Sequence, residues 1–208
     1  MTITECYTPT SLLSHLSWPH FFYAWGFKGK DATVEAARSL QREAIATLHE
    51  LEAKGLVAKA KVVVLGAVSR GDDIIVEIGK GKVRIPCLRQ QMIHEDSDVC
   101  RCLSDYVAPG EFCHPIGNRI GVFATSVNVS DFLSGADDYR RMLLQTLADR
   151  LAEAAAEEIH VSVYRQVWAR QADAPIEGIR PAVGYPSLPD MSLTFVLDDL
   201  LDFSDVGV

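Results

Sequence analysis

The stretch from Asp137 to Val167 constrains this chain most. Met142, Leu143, Thr146, Leu147, Leu151, Ala155 and Ile159 recur at three- and four-residue spacing, while Arg140, Gln145, Asp149 and Glu153 fall off that face. This period predicts an α-helix. At about 30 residues it would span roughly 45 Å if unbroken. A second amphipathic helix is predicted over Thr33 to Lys54, where Ala37, Leu40, Ala44, Leu48 and Leu51 alternate with Glu35, Arg38, Glu43 and Glu50, and Gly55 supplies a stop.

Between these helices the pattern changes. Lys61 to Val68 is an apolar β run, Arg70-Gly71-Asp72-Asp73 has turn chemistry, and Ile74 to Ile78 is a second run. A third, Lys82 to Pro86, follows Gly79-Lys80-Gly81, and Arg119 to Ser126 reads as another buried strand behind Gly117. Short strands joined by tight turns imply an antiparallel sheet. Strands followed by helices, without strand-helix-strand alternation, make the fold class α+β. No repeat and no Gly/Ser- or Pro-rich linker divides the sequence, so residues 1–208 are expected to form a single domain. The aromatic residues Trp18, Phe21, Phe22, Tyr23, Trp25 and Phe27, within Ser11 to Phe27, are expected to anchor its core. An acidic amphipathic segment, Leu193 to Phe203, closes the chain.

Composition narrows the function. At 208 residues and 48% hydrophobic content, a domain of this size buries about 70% of its surface without metal or disulfide staples. The net charge of -8 disfavours nucleic acid and anionic membranes as partners. No apolar run approaches the roughly twenty residues of a membrane span, and Met1 to Pro9 lacks the pattern of an export signal. Cys6, Cys87, Cys100, Cys102 and Cys113 form an odd set without framework spacing, which fits reduced thiols in a cytoplasmic protein.

The common catalytic and nucleotide motifs are missing. There is no Gly-x-Gly-x-x-Gly after a strand, no phosphate-binding Gly-x-x-x-x-Gly-Lys-Ser/Thr and no Gly-x-Ser-x-Gly elbow. Cys100, Cys102, Cys113 and His114 could supply soft ligands, but without the paired spacing of zinc ribbons they read as ordinary loop residues and no metal site is assigned. His160, near Glu153, Glu157 and Tyr164 on the long helix, reads as a satisfied helical histidine.

The most specific patch is Glu177 to Asp190, Glu-Gly-Ile-Arg-Pro-Ala-Val-Gly-Tyr-Pro-Ser-Leu-Pro-Asp. Its prolines fix φ and its glycines allow close backbone approach, so the loop can be rigid without regular secondary structure. Arg180 carries a planar fork suited to a carboxylate, and Tyr185 an aromatic face suited to a flat base or cationic centre. From chemistry alone, a ligand site and a surface loop pinned by Arg180 are equally good readings.

A family resemblance separates them. Arg180-Pro-Ala-Val-Gly-Tyr-Pro186 resembles the Arg-Pro-x-x-Gly-Tyr-Pro signature of the activation domain of cobalamin-dependent methionine synthase. Trp18-Pro-His-Phe-Phe22, Val34-Glu-Ala-Ala-Arg38, Gly71-Asp-Asp-Ile74, Leu88-Arg-Gln-Gln91, Leu103-Ser-Asp-Tyr-Val-Ala-Pro109, Ile120-Gly-Val-Phe-Ala124 and Leu147-Ala-Asp-Arg-Leu-Ala-Glu153 agree in order, from about Ser11 to Leu201.

The resemblance implies a twisted antiparallel sheet packed by long helices, and a groove that binds S-adenosylmethionine. In that family the domain docks over cobalamin carried by a partner methyltransferase. An electron from flavodoxin or a similar reductase, and the methyl group of S-adenosylmethionine, then restore the oxidised cofactor. By resemblance, Arg180 would hold the methionine carboxylate, Ala182 and Tyr185 would frame the ligand, and Glu153 would face its cationic groups. Arg180, Tyr185 and Glu153 are expected to face one cleft.

Weaker candidates come from the departures. Ser17 stands where the family has an acid, and Ala174 replaces a second acid, with Asp173 and Glu177 close by. The family also continues beyond the equivalent of Val208, so the C-terminal part of the family domain is expected to be absent here. No residue is assigned as catalytic. The implied role is an accessory part of methionine synthase that works in trans, and the alternative is a docking module for a corrinoid protein that has lost the ligand.

Overall fold

The computed structural model describes residues 1–27, 34–92, 99–110, 118–168, 176 and 178–207. Chain order is β1 (Thr2–Tyr7), α1 (Trp18–Ala24), α2 (Glu35–Ala53), β2 (Ala58–Arg70), β3 (Asp73–Ile78), β4 (Gly81–Pro86), β5 (Arg119–Val127), α3 (Asp138–Val167) and α4 (Leu193–Leu201), with short 3-10 turns between. The α+β expectation holds. The five strands form one sheet in which β1, β2, β3 and β4 are neighbours in that order, and β5 also pairs with β2. At 13 residues β2 is long enough to take three partners.

Tight turns set the register of the hairpins. Arg70 pairs with Asp73 and Ile78 with Gly81, which leaves two-residue loops, Gly71-Asp72 and Gly79-Lys80. Each has glycine first, with φ of 59° and 56°. Positive φ at the first loop residue matches the twist of antiparallel strands and costs glycine little.

By its contacts the chain divides into two compact units. The first contains Met1–Ile3, Val62–Phe123 and Val163–Phe203, and the second Thr4–Lys61, Ala124–Ser162 and Ser204–Val208. Each has its own core. In the first, Ala67, Ile74, Val76 and Ile85 pack with Leu188 and Leu193, and Val196, Leu197 and Leu200 of α4 complete the layer.

In the second unit Leu12, Phe21 and Phe22 pack with Leu40, Leu48 and Leu51 of α2 and with Leu143, Leu147 and Leu151 of α3. Helix α2 ends as Gly55 predicts. The Gly55 amide donates to Glu52 and the Leu56 amide to Leu51, both at 2.9 Å, with Gly55 at φ 88°. This crossed pair satisfies carbonyls that the last turn would leave open. Helix α3 begins where the side chain of Asp137 accepts the Arg140 amide at 2.7 Å. Its buried ridge runs Leu143, Leu147, Leu151, Ala155, Ile159 and Val163, with Leu144 and Ala148 beside it. Met142, expected on this face, is 41% exposed because it lies one residue ahead of the ridge.

Strand β1 has no counterpart in the sequence reading, and β2 begins at Ala58 rather than Lys61. The aromatic segment is only partly core: Phe21 and Phe22 are buried, whereas Tyr23 is exposed on the outer side of α1. Lys61, 7% exposed, donates to Asp205 at 2.5 Å and ties β2 to the turn Phe203–Val206. No helix among the described residues is long and apolar enough to cross a membrane.

Candidate functional site

The loop that carries Arg180, Ala182 and Tyr185 belongs to the first unit. It is built by backbone hydrogen bonds. The Tyr185 amide donates to the Ala182 carbonyl at 3.1 Å, closing a turn whose third residue, Gly184, has φ 93°. A type II turn requires positive φ at that position. A second turn follows at once, the Leu188 amide donating to the Tyr185 carbonyl at 2.8 Å around Pro186 and Ser187. Proline at the second position presets φ for such a turn. The Gly184 amide donates to the Leu188 carbonyl at 2.8 Å and joins the two turns back to back.

Leu188, 4% exposed, anchors this double turn in the core, while the Tyr185 ring is 63% exposed. Arg180 is half-buried at the start of the segment. A Cβ on Gly184 would stand 2.6 Å from Sδ of Met191, so the Met191 side chain lies against the first turn. The Asp190 carboxylate then accepts from both the amide (2.9 Å) and the hydroxyl (2.7 Å) of Ser192 at the start of α4. These bonds, the hydroxyl's first, hold its carboxyl below the usual carboxylate range.

Glu153 and Ser17 belong to the second unit, and the structure brings them to one ring. Ser17 is the residue before α1, but its hydroxyl caps no backbone amide and instead lies 3.0 Å from Nδ1 of His20. The same nitrogen is 4.0 Å from Oε1 of Glu153, whose Oε2 accepts from Nη1 of Arg150 at 2.6 Å. Serine, histidine and carboxylate are the residue types of a hydrolytic triad, but here serine and acid address the same ring nitrogen. A relay needs them on opposite nitrogens. The string therefore lacks the arrangement that would activate the serine as a nucleophile.

Sequence reasoning missed His20 and Arg150. The signal was local: His20 is three residues after Ser17 at a helix start, and Arg150 is three before Glu153, where side chains on one helix meet.

Asp173, Ala174 and Glu177 lie outside the described residues, as do Cys113 and His114. Among the described residues no group of three or more His, Cys, Asp or Glu could hold a metal ion. Cys102 is buried with its thiol 3.6 Å from the Cys87 carbonyl, and burial, then the neighbouring Cys102, pushes the Cys87 thiol up to about 12. Such a thiol is not a nucleophile at neutral pH. A surface depression of about 460 Å³ in the second unit is lined by Glu50, Lys54, Asp131 and Arg140 among others, and none of the sequence candidates borders it.

With this geometry in place, comparison with known proteins gives a consistent answer. A solved structure of the MetH reactivation domain bound to AdoHcy is similar over 97% of this chain and 70% of that one, at 28% identity and a TM-score of 0.83. The family model described as the vitamin B12 dependent methionine synthase activation domain matches residues 10–208. The chain thus belongs to the family of vitamin B12-dependent methionine synthase activation domains.

Proposed function

We propose that this chain binds S-adenosylmethionine and presents it to the corrinoid of a cobalamin-binding methyltransferase, as a reactivation component of methionine synthase. When bound, S-adenosylmethionine supplies the methyl group for reductive methylation of the partner's cobalamin, the electron coming from flavodoxin or a similar reductase. The residues present fit such a ligand. Arg180 carries a carboxylate-binding fork two residues before a double turn that backbone bonds and a buried leucine hold in shape. The exposed Tyr185 ring offers a face for a cation or a flat base. By the family resemblance, Glu153 of α3 would offer negative charge to a sulfonium or ammonium. The chain's own contribution is position and electrostatics, so no side chain has to act as nucleophile or base.

The observation that carries this reading is the double turn at 182–188, which holds the Ala-Val-Gly-Tyr-Pro part of the family signature on a fixed backbone. Isothermal titration with S-adenosylmethionine tests it. Saturable binding is expected, and Arg180→Ala should weaken it at least about tenfold, the loss of a charge-assisted hydrogen bond. Absence of heat at millimolar ligand would instead favour a docking module without ligand. One observation favours that second reading: Glu153 already holds Arg150.

A further inference from the structure

The surface depression of the second unit is lined by none of the residues assigned to S-adenosylmethionine, and its own chemistry is mixed. Lys54 ends α2, Arg140 stands in the first turn of α3, and the loop 131–136 precedes that helix. The Arg140 guanidinium is anchored to α2: Nη1 donates to the buried Thr47 hydroxyl at 2.9 Å and Nη2 to Oε2 of Glu50 at 2.7 Å. Only two of the five N–H groups of the fork are used in this way. Lys54 donates to the other oxygen of Glu50 at 2.7 Å. The exposed Asp131 carboxylate, and the amides of Ser134 and Gly135, make no hydrogen bond among the described residues.

Two cations and two carboxylates leave this lining without net charge. A phosphate or a metal ion gains little there, because each attraction is offset by a repulsion at similar range. A zwitterion gains from both signs. Leu51 and Phe132 add apolar surface, and the volume of about 460 Å³ falls within the ~300–1,000 Å³ of small-molecule sites. We propose that the depression binds a free α-amino acid with an apolar side chain. Asp131 takes its ammonium group, Arg140, Lys54 and the two loop amides take its carboxylate, and Leu51 and Phe132 meet its side chain. Methionine, which the family's synthase makes, belongs to this class, as does leucine. S-adenosylmethionine carries the same two charged groups but puts a sulfonium where the depression offers apolar surface. The assignment holds whether or not S-adenosylmethionine binds at the loop that carries Tyr185.

The test is titration of the isotope-labelled full chain with L-leucine and with L-methionine, read in amide correlation spectra. Saturable shifts are expected at the amides of Ser134, Gly135 and Ala136, with half-saturation at ~1–10 mM. Isoamylamine, which lacks the carboxylate, and N-acetyl-L-leucine, which lacks the ammonium, should each bind about fivefold more weakly, the upper scale of a part-exposed charge pair. Asp131→Asn should weaken L-leucine about two- to fivefold and leave N-acetyl-L-leucine unmoved, a split that a merely structural role would not produce. Arg140→Gln should weaken L-leucine and N-acetyl-L-leucine alike. Far-ultraviolet dichroism checks its folding, and Asp131→Asn, at an exposed position, decides the matter if it does not fold. No saturable shift by about 20 mM, an equal response to isoamylamine, or an L-leucine affinity that Asp131→Asn leaves unchanged overturns the proposal. So does displacement of L-leucine from these amides by an equal concentration of S-adenosylmethionine, since the depression would then belong to that ligand's amino-acid end.

Discussion

The loop at 182–188 and the string Ser17, His20, Glu153, Arg150 hold their functional groups by different means. In the loop the main chain does the holding: three amide-to-carbonyl bonds, one glycine at positive φ and one leucine in the core fix where Tyr185 sits. In the string only side chains touch, on helix surfaces open to water. A backbone site tolerates change in the residues it displays but not in those that shape it. A side-chain site can be retuned by single substitutions at little cost to the fold.

Four substitutions probe this contrast. The largest effect is expected for Leu188→Ala, which empties a core position under the double turn. It should cost about 2–4 kcal/mol in chemical denaturation and weaken ligand binding with it. Gly184→Val should cost about 1–3 kcal/mol, since a β-branched residue is strained at φ 93° and its Cβ would displace Met191. Ser17→Ala removes one exposed contact and should cost less than about 1 kcal/mol, leaving the melting curve nearly unchanged. If it destabilised as much as Gly184→Val, the contrast would be wrong.

The smallest effect concerns acid. The carboxyl of Asp190 titrates lower in the folded protein than in the unfolded chain, so its contribution is fully present above the ordinary carboxylate value and fades as pH falls through the folded one. Asp190→Asn should therefore flatten the pH dependence of stability in the acid range and leave its slope near neutrality unchanged. An unaltered acid limb in denaturation curves would show that the Ser192 bonds do not form in solution.

Much of the fold could be read from residue order because its signals are periodic. The ridge of α3, the stripe of α2 with Gly55 behind it, and both glycine-led hairpins follow from local spacing. Strand β1 did not show itself because most of its side chains are exposed, so Thr2–Tyr7 carries no alternation of buried and open positions. The first residues of β2 were hidden for the opposite reason: Ala58 and Ala60 are fully buried, yet alanine is a poor strand former. Their strand state comes from pairing with distant partners.

The candidate site divides the same way. Prolines and glycines announced the loop, since each restricts or frees φ by itself. His20 and Arg150 are ordinary residues whose meaning depends on what stands three positions away. Met142 is misplaced because a spacing rule marks a face without saying where that face ends, and Tyr23 because aromatic density marks a segment without saying which of its side chains turn inward.

The sharing of Tyr185 between two consecutive turns has one more consequence. Its amide closes the first turn and its carbonyl the second, and the bond from Gly184 to Leu188 spans both. Neither turn can loosen without dragging the other, so the segment should behave as a latch with two settings rather than a hinge with many. Amide protons of Gly184, Tyr185 and Leu188 would then exchange with solvent in one concerted opening, and a ligand gripping Arg180 at the latch's edge would slow all three together.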